Sequence, residues 1–129
     1  MAKSKLKGYW AELPTLGSTE SVGILSFVSS FDPTSTSQVL LGTLPNGARP
    51  LGVDSLGGAT GGTNPTVDIG ITGDPDGFAN ELDADGIAFN DTGALTGVAL
   101  TTDTAVYGQV GASAATGGTT TVVIKYVMQ

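Results

Sequence analysis

Apolar residues in this chain fall in short clusters that alternate with polar positions and end at Gly, Pro, Asn or Asp, the pattern of strands joined by turns. Residues 22–31 read as a first strand, closed by Asp32-Pro33. Residues 39–44 read as a second, ended by Pro45-Asn46-Gly47, which has the residues of a tight turn. Residues 49–54 give a third. Residues 66–71 give a fourth, with Val67, Ile69 and Ile71 alternating against Asp68 and Gly70. Residues 98–100, 104–110 and 119–127 complete the set. In the last of these, Val122, Ile124 and Tyr126 share one face and Val123, Lys125 and Val127 the other. Two largely apolar faces predict a central strand, or one covered by a partner. Seven to eight short strands at this spacing predict an all-β chain, a single-domain β-sandwich or jelly roll.

Composition strengthens that reading. Twenty glycines and six prolines leave stretches of 119–129, 98–107 and 24–32 as the longest free of both, and each suits a strand better than an average helix. Thr numbers 18, against three Glu, four Lys, three Gln and one Arg, which favours a pleated surface over a helical one. Two segments read as loops: 56–65, low in complexity, and 111–118, expected at the tip of a hairpin between the last two strands. The 129 residues suffice for one domain, and 28 Val, Ile and Leu suffice for its core.

Charge divides the chain. Lys3, Lys5 and Lys7 lie in the first eight residues, and all 12 acids lie beyond them, opposed there by Arg49 and Lys125. This predicts a basic, extended N-terminal arm over residues 1–15 and an acidic β-domain over 16–129. An acidic body lacks the basic footprint that phosphate contacts need, so no nucleic-acid partner is expected. No apolar run reaches the roughly 20 residues of a membrane span, and no membrane partner is expected either. The N-terminus is basic without an apolar core, so it is not read as a secretion signal, and synthesis in the cytoplasm is expected.

Candidate chemistry is sparse. The chain has no cysteine and no histidine, which excludes disulfides, thiolate metal sites and Ser–His–Asp or Cys–His catalysis. Residues 56–65 include a Gly-rich run without the Lys of a phosphate loop. The one acidic constellation spans 73–86, with Asp74, Asp76, Glu81, Asp83 and Asp85 beside Gly77 and Gly86. Clustered carboxylates on a Gly-containing loop raise the question of calcium. Neither glycine register supplies the first Asp and the terminal Glu of an EF-hand, and flanking helices are not expected. An irregular site built from two Asp-x-Asp-Gly turns stays open beside the preferred reading, a solvated loop whose Asp side chains cap their own turns. No cofactor, small-molecule substrate or catalytic residue is expected, and the chain is read as a non-enzyme.

The run 39–49, which ends in Leu44-Pro45-Asn46-Gly47-Ala48-Arg49, resembles the strand–turn–strand motif of small virion proteins of tailed bacteriophages. A Gly/Thr-rich stretch, a strand like Val67-Asp68-Ile69-Gly70-Ile71 and a loop like 73–80 follow in the same order, then strands like 100–107 and 120–126. The resemblance covers about residues 39–127. It implies a decoration or cement protein, a minor head component that binds the outer surface of the major capsid lattice, as a trimer or dimer, on the virion. Lys3, Lys5, Lys7, Tyr9 and Trp10 would then be capsid-contact residues on the arm. A tail- or fibre-associated domain, or a calcium-stabilised adhesive β-domain, is the alternative.

Overall fold

The computed structural model describes residues 24–34 and 37–128. They form eight strands, β1 (Leu25–Phe31), β2 (Val39–Leu44), β3 (Ala48–Thr60), β4 (Thr66–Ile71), β5 (Asp74–Asp83), β6 (Ile87–Asp91), β7 (Thr104–Val110) and β8 (Gly117–Met128), with no helix among the described residues. One four-stranded sheet has the order β1-β8-β3-β6 and the other β2-β7-β4-β5. The pairing is nested and antiparallel: β1 with β8, β2 with β7, β3 with β6 and β4 with β5. The chain therefore behaves as one long ribbon, folded back at the β4–β5 turn and rolled so that successive rungs fall in alternate sheets. Two further ladders, β3 with β8 and β4 with β7, close the roll. This is a jelly roll, the architecture in which two four-stranded sheets share one core.

The core lies between the sheets. Phe31, Val53, Val122 and Ile124 from the first sheet meet Leu44, Val67, Ile69, Phe78, Leu82 and Val106 from the second. Full burial of side chains this size is worth roughly 1.5–3 kcal/mol each. Two glycines let aromatic rings cross from one sheet to the other. A Cβ at Gly108 would lie 2.7 Å from the Phe31 ring, and one at Gly42 would lie 3.0 Å from the Phe27 ring. The rings of β1 thus rest on bare backbone of β7 and β2.

β8 is central, between β1 and β3, as its two apolar faces predict. Its inner side buries Thr120, Val122 and Ile124, while Val123 and Lys125 are half-buried on the outer side. Strands 39–44, 66–71 and 104–110 match their expected bounds. The first begins at Leu25, and Val22 and Gly23 lie outside the described residues.

Four expectations need correction. Residues 73–86 are mostly β5 rather than a loop, because Phe78, Ala79 and Leu82 are buried against β4 while register shifts and a left-handed Glu81 (φ 53) hide the alternation. Asp74 and Pro75 are tolerated because β5 is a sheet edge. Residues 56–60, read as loop, extend β3 along β8. Residues 98–100 are not a strand but a strap on the start of β3: the Leu100 N–H donates to the Ala48 carbonyl (2.8 Å), and the Gly97 N–H to that of Pro50 (2.7 Å). Finally, 111–118 does not tip a hairpin, since β7 and β8 belong to different sheets. It crosses between them, pinned by hydrogen bonds to Pro33, Thr60 and Thr66.

Candidate interaction face

Cross-strand register assigns the outer face of the first sheet. Val28, Val123 and Asp54 form one row, and Ser30, Thr121, Leu56 and Ile87 the next. Phe89 lies two residues beyond Ile87 on the same side of β6, while Ala88 between them packs on the core. Beside the exposed Ser30, four large apolar side chains stand out: Val28 is 64% exposed, Leu56 and Ile87 61%, and Phe89 78%. The water-facing side of an antiparallel sheet is ordinarily polar. Here it carries a contiguous apolar strip from edge strand β1 to edge strand β6. A shallow hollow of about 330 Å³ lies within it, between Leu56, Ile87, Phe89, Thr121 and Val123, with Asp54 on its wall.

Polar groups frame the strip. The Lys125 Nζ lies 3.2 Å from Asp54 Oδ1 and donates to Asn90 Oδ1 (3.1 Å). The Asn90 N–H in turn donates to Asp54 Oδ1 (2.7 Å), an orientation its left-handed backbone (φ 57) provides at the end of β6. Both charges are partly solvated, so the pair itself adds only about 0.2–1 kcal/mol, and its main effect is to fix the β3–β6 margin.

Beside the start of β6, the turn 83–86 is held against β3. The Gly57 N–H donates to the Gly86 carbonyl (2.6 Å) and the Ala59 N–H to that of Ala84 (3.1 Å). The same Ala84 oxygen accepts from the buried Thr120 hydroxyl (3.0 Å). A Cβ at Gly57 would lie 2.5 Å from backbone atoms of this turn, so only glycine allows the approach. Asp83 Oδ1 accepts from the Asp85 N–H (3.2 Å), a local cap of the expected kind. A hydrogen bond between the two side chains, desolvation and the charge of Asp83 push the Asp85 carboxyl up from its ordinary value.

The acids of 73–86 do not converge. Asp74 and Asp76 sit at the start of β5, where hydrogen bonding to Asp76 and its like charge push the Asp74 carboxyl up. Asp83 and Asp85 sit at and just beyond its far end; Asp74 pairs with Ile71 and Asp83 with Thr66, so the two ends lie about 17 Å apart at ~3.3 Å per residue of β4. The two Asp-x-Asp pairs therefore cannot share one ion. Among the described residues no group of three or more His, Cys, Asp or Glu is placed to hold a metal. The arm residues Lys3, Lys5, Lys7, Tyr9 and Trp10 lie outside the described residues.

The apolar face escaped the sequence reading. Leu56 lies in a stretch whose composition predicts a loop, and the sequence pattern predicts no strand over 87–91. The short apolar run Ile87-Ala88-Phe89 is the available signal, although a run that is apolar on both sides does not say which side faces the core.

No protein-family model matches the chain, and no curated protein matches it. Its fold is similar to that of a chain in the capsid of Ralstonia phage GP4, with a TM-score of 0.61 and 20% identity over 92% of each chain. It is also similar to a chain in the capsid asymmetric unit of cyanophage Pam1, with a TM-score of 0.60 and 20% identity over 96% of this chain and 98% of that one. At this identity the likeness is one of fold, and it embraces nearly the full length of chains of comparable size.

Proposed function

We propose that this chain is a virion structural protein of a tailed phage, a decoration or cement protein on the outer surface of the major capsid lattice. The observation that carries the reading is the end-to-end likeness to the Pam1 capsid chain, 96% of this chain against 98% of that one. Fold alone does not fix function, but here the jelly roll comes with matching length and a capsid setting. A chain within a capsid asymmetric unit belongs to the repeating shell, which favours head over tail.

The physical chemistry is compatible. Such a protein acts without catalysis, as a rigid clip that bridges neighbouring shell subunits. The two-sheet body supplies stiffness, the exposed apolar strip supplies a contact face, and the basic residues Lys3, Lys5 and Lys7 supply a tether. Association as a trimer or dimer suits the symmetry of a shell.

Purified particles test this. A copy number in the hundreds per virion, with antibody label over the head in negative stain, is the expected result. A few copies per particle with label on the tail would instead establish a tail component.

A further inference from the structure

We propose that, in the unassembled protein, the outer face of the β1-β8-β3-β6 sheet is the docking site of the chain's own N-terminal segment, with Leu6 and Trp10 laid across the apolar strip. The inference concerns the isolated chain and does not rest on the capsid reading.

Three observations converge on this occupant. The first is the face itself: Leu56, Ile87 and Phe89 stand more than 60% exposed on β3 and β6, and Val28 does so on β1, across Val123 of β8, an arrangement that calls for a covering group. The second is charge. Acids lie along the strip, with Asp54 within it and Asp83 and Asp85 in the turn that leads into Ile87. Lys125 is already engaged by Asp54 and Asn90, and Arg49 donates to the Gly97 carbonyl (2.6 Å). A cationic, apolar segment is complementary to such a surface. Lys3, Lys5 and Lys7, interleaved with Leu6 and followed by Tyr9 and Trp10, have that chemistry.

The third is length and spacing. In an extended segment Leu6, Gly8 and Trp10 fall on one side and Lys3, Lys5 and Lys7 on the other. Leu6 and Trp10 are then about 13 Å apart, and the four strands of the sheet span about 14 Å at ~4.8 Å per gap. The segment leads into β1, an edge strand of the same sheet. Residues 11–23 reach about 45 Å when extended, ample to bring Trp10 back over the face, and Pro14, Gly17 and Gly23 permit the reversal.

Trp10 is the single tryptophan, so its fluorescence reports the docking directly in the full-length protein. The expected result is blue-shifted emission, weakly quenched by acrylamide and unchanged on hundredfold dilution. Phe89→Ser and Ile87→Ser, both at exposed positions, should each shift the emission to the red and raise quenching several-fold while a cooperative thermal transition is retained. In the wild-type protein, 1 M sodium chloride should raise quenching as well, by screening the lysines from the acids; this measurement needs no variant. Solvent-like emission of the wild type in low salt would overturn the proposal, as would indifference to both substitutions. A blue shift that disappears on dilution would also overturn it, by identifying a second copy as the occupant.

Discussion

Ser55 lies on the inner face of β3, between Val53 and Ala59 in a row that is otherwise apolar. Its hydroxyl is buried without a hydrogen-bond partner among the described residues. A buried hydroxyl that has given up water for nothing costs roughly 1–3 kcal/mol, and removing it leaves little void. Ser55→Ala should therefore stabilise the fold by about 1 kcal/mol, read as a higher urea midpoint with an unchanged slope. Gly108 works in the opposite direction. The Phe31 ring occupies the space a Cβ would take, and that ring is wedged between two sheets, so neither partner yields freely. Gly108→Ala should cost about 1–3 kcal/mol by overpacking. Combining it with Phe31→Leu, which frees the space, should recover part of the loss, and strict additivity of the two changes would refute this account of Gly108.

Strand by strand, what could be read from the residues depended on whether alternation and turn chemistry agreed. They agree at Val39–Leu44, Thr66–Ile71 and Thr104–Val110, each bounded by polar or glycine-containing turns, and those strands were legible. They disagree along β5, where the irregularity at Glu81 breaks the period and four acids, with Asp85 just beyond, imitate a loop. The same acids make a prediction about pH. Asp74 and Asp85 have carboxyl groups raised by a hydrogen bond to, and the charge of, Asp76 and Asp83 respectively. The folded state thus holds these protons more tightly than the unfolded chain does. Stability from this source is fully present below the ordinary carboxylate value of about 3.9 and is lost as pH rises through the higher folded values. Asp74→Asn and Asp85→Asn should each give a small rise in thermal midpoint at pH 7, and no rise at pH 3, where the wild-type groups are already neutral. An equal gain at both pH values would show that repulsion within the pairs is not the cause.

Strand content was legible, but the nested order was not, because the pairing of β1 with β8 joins residues from 89 (Phe31 with Thr120) to 101 (Leu25 with Tyr126) positions apart and no local pattern encodes it. The contact face was hidden for a related reason: Ile87 and Phe89 have the composition of core residues, and only the roll of the ribbon turns them outward. That roll also makes the molecule depend on its last strand. β8 pairs with β1 from Phe31 to Leu25 and with β3 from Ala48 to Thr60, and it buries Thr120, Val122, Ile124 and Val127. Without it β1 has no sheet neighbour, β3 has an open edge, and the core loses one wall. Among the described residues no strand is free to replace it, since every other strand of the first sheet already has its place in the order. A chain ending at Gly118 should show no cooperative thermal transition and no near-ultraviolet circular dichroism. The same four buried residues and eight nested strands should survive a shorter cut that removes only Gln129. A truncated chain that still melted cooperatively would mean that seven strands suffice and that β8 is an accessory to the roll rather than its closure.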